Sequence, residues 1–540
     1  MFSGKREDRL ALGPEVGQAQ NSHKTSVAGG RALKLDDKTA GIRPEFIEQV
    51  RQKLASRTFE HYVGGQFVAG ARGEVFETLD PATNRVLARA YRGHAEDIDK
   101  AAQAAHESFK TGWGRLKARE RKKYLLKIAG LIEKHGDELA TIECLDAGQV
   151  LKIVRGQIAR TAENFSFYAD WAEKAMDGRT YPVDAEWVYY TVRVPVGVCG
   201  IITPWNAPMM LSTWRIAPAL ATGNTVVLKP AEWSPLTAWK LAEIMQEADL
   251  PPGTFNVVQG FGEEAGAPLV AHPLVPLITL TGETTTGSIV MKNAADQLKR
   301  LSLELGGKSP AVIFEDADFE RAVDATVFQI YSFNGERCTA NSRALVQESV
   351  LEEFVARVAE RAARVRVGHP LDPETEVGPL IHPEHLERVL GYVHIGQEEG
   401  ARLVVGGERV GSEGNYLRPA LFVGENHMRI AQEEIFGPVL TVIPFKDEAD
   451  ALAKANDVKY GLAAYVWTRD VARAHRMGLA LESGMTWINS HNVRHLPTPF
   501  GGVKFSGTHR EGGEYSLEFY TEIKSIAVPL GEHPIPKFGK

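Results

Sequence analysis

Between residues 197 and 305 short apolar segments alternate with helix-forming ones, and this alternation constrains the fold more than any other feature of the chain. Gly197-Val198-Cys199-Gly200-Ile201-Ile202 reads as a buried strand. Further strands are expected at 224–229, 255–258, 277–281 and 301–305, with helices after Ser234-Pro235, over 262–272 and over 285–297. Ser234 is placed to cap its helix, and Pro235 to take the first helical position. Strands separated by helices need crossovers, so they lie parallel in an open, doubly wound α/β sheet. Such sheets bind ligands beyond the carboxyl ends of their strands.

A second α/β segment spans 309–489, with strands at 311–314 and 344–346 and helices at 322–333 and 351–365. Upstream, long helices are expected at 95–109 and 118–147. The Val- and Tyr-rich segment 185–198 reads as extended strand, and the tail, 515–528, alternates apolar and polar residues. An exposed tail strand needs a partner. Pairing it with the 185–198 strands of another subunit would satisfy both. Residues 1–57 read as a partly flexible N-terminal extension with one helix at 45–55.

Composition narrows the function classes. The chain has 540 residues, enough for two or more large cores, and a net charge of −7 with no basic tract, which argues against nucleic acid. No apolar run approaches the roughly 18 residues of a membrane span, and the N-terminus lacks the apolar core of a secretion signal. The three cysteines, Cys144, Cys199 and Cys338, show no paired spacing. That argues against a disulfide framework or a zinc site, so no metal is expected, and it points to a reducing, cytoplasmic setting.

Five short stretches carry chemistry, each with a blander alternative. In Asn334-Gly335-Glu336-Arg337-Cys338-Thr339, a cysteine follows a turn signal between a helix and a strand, where reactive groups are displayed; otherwise it is a small packing residue. In Glu304-Leu305-Gly306-Gly307-Lys308, a carboxylate closes an apolar strand. Burial there would raise its pKa toward that of a general base; otherwise it caps a turn. In Thr203-Pro204-Trp205-Asn206, an amide lies past a strand end, able to donate to an oxyanion or merely to shape a turn. Lys229-Pro230-Ala231-Glu232 offers a cation and a carboxylate for ribose or phosphate, or a solvated turn. Glu434-Ile435-Phe436 pairs a carboxylate with a ring that can flank a flat ligand, or is an acidic turn before a core Phe. Two glycine-rich loops add to these. Gly282-Glu283-Thr284-Thr285-Thr286-Gly287 joins a strand to a helix N-terminus, a phosphate position. The spacing in Gly260-Phe261-Gly262-Glu263-Glu264-Ala265-Gly266 does not match a dinucleotide loop.

Together these motifs resemble the aldehyde dehydrogenase superfamily, in segments that run from about residue 62 to 526. The set also includes Pro438 and Pro499-Phe500-Gly501-Gly502. The resemblance implies a doubly wound cofactor domain (58–175 and 198–305), a second α/β catalytic domain (306–503) and a small β oligomerisation arm (176–197 and 504–530). It implies Cys338 as nucleophile, Glu304 as the base for deacylation and Asn206 as oxyanion donor. It places NAD against Ile202, Thr203, Pro204, Trp205, Lys229, Glu232, Gly262, Gly266, Thr281, Gly282, Glu283, Gly287, Leu305, Glu434 and Phe436. A homodimer or homotetramer is expected. Within the superfamily, 281–287 and 333–340 resemble the 5-carboxymethyl-2-hydroxymuconate semialdehyde dehydrogenases of homoprotocatechuate breakdown, with the 2-hydroxymuconate semialdehyde enzymes as the near alternative. A carboxylated substrate calls for cations, and Arg494, Arg215, Arg337 and His495, with Phe500, are the candidates. Glu283 stands where most of the superfamily has Ser, and His509 where it has Gly. The competing classes are a CoA-acylating relative, which would lack Glu304, and a non-enzymatic relative, which would lack the full set of Cys338, Glu304 and Asn206.

Overall fold

The computed structural model describes residues 41–183 and 186–539. The expected N-terminal extension up to residue 40, and the first residue of the 185–198 segment, lie outside the described residues. The first described element is the helix expected over 45–55, and it belongs to the folded body rather than to a flexible extension. Helix α1 (Pro44–Ala55) starts on a proline and turns Val50 and Leu54, four residues apart, into the core at 4% and 2% exposure. Two side chains on one face suffice to seat it, so the folded body begins ahead of residue 57. The polar residues around them mask this anchor in the sequence.

Strands β1 (His61–Val63) and β2 (Gln66–Val68) form a hairpin, followed by helix α2 (Ala95–Thr111). The single helix expected over 118–147 is two, α3 (Ala118–Lys134) and α4 (Gly136–Ala147), which break at His135 ahead of Gly136. Helix α5 (Leu151–Ala175), to which the sequence reading assigned nothing, packs on α3. Then come β3 (Trp187–Pro195), β4 (Val198–Ile202), α6 (Pro208–Ala221), β5 (Thr225–Lys229), α7 (Leu236–Glu247), β6 (Phe255–Val257), β7 (Leu277–Thr281), α8 (Thr284–Ala295) and β8 (Arg300–Glu304). The cap of α7 differs from expectation: the Leu236 amide donates to Asp146 Oδ2 of α4 at 2.9 Å, while Ser234 Oγ donates to the Trp205 carbonyl.

The second half contains β9 (Pro310–Ile313), α9 (Phe319–Tyr331), β10 (Arg343–Gln347), α10 (Leu351–Arg364), α11 (Pro383–Glu398), β11 (Arg402–Val405), β12 (Ala420–Val423), β13 (Val439–Phe445), β14 (Ala463–Trp467) and β15 (Met485–Ile488). The chain ends with β16 (Gly507–Thr508) and β17 (Thr521–Pro529).

The first sheet runs β16-β8-β7-β4-β5-β6-β1-β2, and its five central strands are parallel. Strands β5 and β7 are buried along their whole length, as strands covered on both faces must be, which explains their unbroken apolar character. The chain leaves β4 toward β5 on one side and returns at β7 on the other. The crevice beyond the ends of β4 and β7 is therefore the topological switch point, where such folds take ligands. The second sheet runs β11-β12-β13-β10-β9-β14-β15, parallel except for β11 against β12. The architecture is the expected doubly wound α/β sheet with a second α/β unit.

The tail strand departs from expectation. β17 pairs antiparallel with β3 of its own chain, from Thr521 opposite Pro195 to Pro529 opposite Trp187. The first sheet delivers it there: Asn224 Nδ2 donates to the Tyr520 carbonyl at 2.8 Å, and Arg300 Nη1 to that of Thr521 at 2.7 Å. Among the described residues no helix is long and apolar enough to cross a membrane.

Candidate active site

The turn that carries Cys338 is under local strain. Phe333 and Asn334, neither a glycine, both hold φ of 58°. Buried bonds of the Asn334 amide fix them: Nδ2 donates to the Gly148 and Pro379 carbonyls at 3.0 Å, and Oδ1 accepts from the Gly378 amide at 2.7 Å. Past Cys338, the Thr339 carbonyl accepts from Tyr465 Oη at 2.8 Å, and Thr339 Oγ1 from Asn492 Nδ2 at 2.7 Å. The thiol is thus held on a rigid turn, partly exposed, whereas Cys144 and Cys199 are buried.

Three motifs distant in sequence meet around this turn. A Cβ on Gly307 would collide with the Cys338 carbonyl, and one on Gly335 with the Gly437–Pro438 peptide, so both close approaches require glycine. The Gly307 amide donates to Glu434 Oε1 at 2.8 Å. Asn206, 6% exposed, donates from Nδ2 to the Glu336 carbonyl at 2.7 Å, which places its amide beside the nucleophile turn.

The electrostatics favour proton transfer. Glu304 is 3% exposed, and its Oε1 has no hydrogen-bond partner in the protein. Burial, with Glu511 nearby, pushes its carboxyl up to about 8. The Cys338 thiol is pushed up to about 12 by burial and by Glu304, while Arg494 and Arg337 pull it down. The thiol therefore holds its proton more tightly than the Glu304 carboxyl does, whereas a carboxyl raised to about 8 is suited to exchanging a proton with water near neutral pH. Burial raises Glu434 to about 7 against the Gly307 hydrogen bond.

The expected substrate cations separate into two groups. Arg494 lies with its guanidinium carbon 3.6 Å from the Phe500 ring centre and 5.5 Å from that of Trp214. None of the described ion pairs includes Arg494 or Arg337. Arg337 rests over the Phe333 ring and donates to Ser332 Oγ at 3.3 Å. His495 is exposed. Arg215 is a correction: it is 1% exposed, with Nη2 2.9 Å from Glu511 Oε2 and Nε donating to Thr279 Oγ1 at 2.8 Å. With its charge met inside the protein, it is unavailable to substrate. Sequence reasoning missed its partner Glu511, which also accepts from Trp214 Nε1 at 2.8 Å and Ser302 Oγ at 3.1 Å. It also missed Arg160 on α5, whose Nη2 donates to the Arg494 carbonyl at 3.2 Å. A helical pattern over 151–175 was the available signal.

The switch-point crevice fits a dinucleotide. Ile202 ends β4, and Thr203, Pro204 and Trp205 follow it; Thr281 ends β7, and Gly282 and Glu283 lead into α8. Early amides of α8 offer donors to an anion. A Cβ on Gly287 would collide with the Leu305 side chain, which seats α8 against the β8 end. Lys229 Nζ lies 3.3 Å from Glu232 Oε2 and donates to the Pro230 carbonyl at 2.8 Å. The Lys229 side chain packs on Gly266, which with Gly262 bounds a single π-helical turn. On the opposite wall Phe436, at φ 61°, meets Trp205 edge-on at 5.3 Å. Glu283 is exposed at the α8 N-cap position. His509 keeps the left-handed conformation that glycine usually takes, at φ 72°, with its ring against Phe519.

Comparison with known proteins agrees with this geometry. The pattern of the aldehyde dehydrogenase family matches residues 67–526. The HpcC crystal structure from Thermus thermophilus is 70% identical with a TM-score of 0.91, over 92% of this chain and 98% of that one. The 5-carboxymethyl-2-hydroxymuconate semialdehyde dehydrogenase of Escherichia coli is 49% identical over 465 residues, 84% of this chain and 98% of the relative. An NAD+ complex of aldehyde dehydrogenase from Bacillus cereus is 40% identical with a TM-score of 0.88, over 91% of this chain and 99% of that one. With the match covering most of its length, the chain belongs to the aldehyde dehydrogenase family.

Proposed function

We propose that the chain oxidises a carboxylated semialdehyde to the acid with NAD, through a thioester on Cys338. The observation that carries the substrate class is Arg494: a guanidinium close enough to shift the Cys338 thiol, stacked on Phe500, and in no described ion pair with a protein carboxylate. A partly buried cation left without a counter-charge is costly unless a ligand supplies one. Arg337, which also lowers the Cys338 thiol, offers a second such charge, and Arg160 braces the Arg494 backbone. The named Escherichia coli relative supports 5-carboxymethyl-2-hydroxymuconate semialdehyde as the substrate, with 2-hydroxymuconate semialdehyde as the alternative.

The residues divide the work as follows. Cys338 Sγ, its proton lost to solvent, attacks the aldehyde carbon to give a hemithioacetal. Asn206 Nδ2 and the Cys338 amide donate to the oxyanion. Bound NAD supplies the hydride acceptor that turns the hemithioacetal into a thioester. Glu304, ionised, takes a proton from water; the hydroxide adds to the thioester carbon, the C–S bond breaks to release the acid, and the Cys338 thiolate takes the proton from Glu304. Lys229 and Glu232 bind the adenosine ribose, Gly282–Gly287 the pyrophosphate, and Glu434 and Phe436 the nicotinamide end. We read 58–175 with 198–305 as the cofactor domain, 306–503 as the catalytic domain, and β3 with β17 as an arm joining a homodimer or homotetramer in the cytoplasm.

The substrate reading is tested with Arg494→Leu. A charge-assisted hydrogen bond contributes about 1.5–3 kcal/mol, so kcat/KM for the carboxylated semialdehyde should fall roughly 10- to 150-fold. Hexanal, which has no carboxylate, should be oxidised nearly as before. Equal losses on both substrates would assign Arg494 to loop shape and refute the carboxylate reading.

A further inference from the structure

His385, in the first turn of α11, is 3% exposed and has no part in the chemistry above. Its Nε2 lies 2.7 Å from the Phe436 carbonyl. That oxygen can only accept, so Nε2 carries the proton. Burial pushes the imidazole down to about 4, so the ring is neutral and keeps this single-donor form at neutral pH. Its edge meets Trp205 at 5.1 Å, and Trp205 in turn meets Phe436. Nε2 is also 3.8 Å from Oε1 of Glu336, whose backbone carbonyl accepts from Asn206. Glu336 is itself fixed: Oε1 accepts from the Ile381 amide at 2.9 Å and Oε2 from Gln149 Nε2 at 3.2 Å. One imidazole thus touches the Phe436 loop, the Trp205–Asn206 loop and the nucleophile turn.

Phe436 has particular need of such a contact. Its φ of 61° is an unfavourable conformation for an aromatic residue, and it persists only if its surroundings impose it. The hydrogen bond from His385 fixes the carbonyl of that same residue. We propose that His385 is a positioning residue for the nicotinamide end of the cofactor, holding Phe436 in its left-handed conformation and backing Trp205. The inference rests on the reading that Phe436 faces the nicotinamide end.

The test compares two ligands that share the adenosine half. NAD reaches both ends of the crevice, whereas AMP reaches only the Lys229–Glu232 end. Dissociation constants are measured by calorimetry on full-length wild type, His385→Leu, His385→Gln and Phe436→Leu. His385→Leu should weaken NAD about tenfold, as expected for one lost hydrogen bond. Its AMP affinity should stay within about twofold. His385→Gln, which keeps a donor near the carbonyl, should recover most of the NAD affinity. If the Leu variant does not fold, His385→Asn, polar but too short to reach the carbonyl, carries the same comparison. Equal weakening of NAD and AMP, or of neither, would overturn the proposal. Phe436→Leu separates the two possible failures. If it leaves NAD binding intact, the placement of Phe436 is wrong and the proposal falls with it. If it selectively weakens NAD while His385→Leu does not, the placement stands and only the role of His385 is overturned.

Discussion

The two ends of the crevice handle charge in opposite ways. At the end proposed for the adenosine ribose, Lys229 and Glu232 are paired with each other at 3.3 Å. At the reaction end Glu304 is buried with a bare oxygen, and Arg494 has no described carboxylate partner. The unpaired carboxyl there sits at about 8 and Glu434 at about 7, far above ordinary carboxylates. A paired site binds through charges already held in place. An unpaired site near neutrality can move protons, at a cost in stability. On the proposed assignments, the chain separates binding from chemistry along a single cleft.

Substitutions that break this contrast should differ by orders of magnitude. Cys338→Ala removes the proposed nucleophile, and turnover should fall on the order of a million-fold, while NAD affinity by calorimetry should be unchanged. Residual activity above about 1% of wild type would contradict the assignment. The next effect is in pH. Glu304 serves as base only when ionised, so hydrolysis should rise with pH, about tenfold per unit below 8, and level off above it. A deacylation rate flat from pH 6 to 8, read by stopped-flow, would detach the step from Glu304. The smallest effect belongs to the adenosine end. The Glu232 carboxylate should repel the 2′-phosphate of NADP and lower its kcat/KM at least about tenfold relative to NAD. Glu232→Gln should narrow that gap without changing kcat. Equal use of both cofactors by wild type would mean that Glu232 points elsewhere.

Much of this cleft was legible in the sequence because its parts are local. A strand that ends in Glu304 before two glycines, and a cysteine four residues after Asn334, are patterns of neighbours. The parallel sheet was likewise written in unbroken apolar strands such as β7. What was hidden depends on residues that meet only after folding. Arg215 looks like a free cation until Glu511, almost three hundred positions later, is found 2.9 Å away. Asp146 caps α7 from another helix, so the local Ser234 was the wrong choice. The tail strand was expected to seek another subunit because nothing in its own residues reveals that Asn224 and Arg300 hold its start. His385 looks like any helix-start histidine until its contacts with Trp205 and Phe436 appear.

The most direct test of the central claim, a Cys338 thioester hydrolysed through Glu304, is acid-quench mass spectrometry of Glu304→Gln. The amide keeps the shape of the side chain but cannot take a proton from water. Mixed with aldehyde and NAD, the variant should release one equivalent of NADH per site in a burst. The quenched protein should then carry the acyl group on the peptide that contains Cys338. A full burst that leaves the Cys338 peptide unmodified, or no burst at all, would contradict the account.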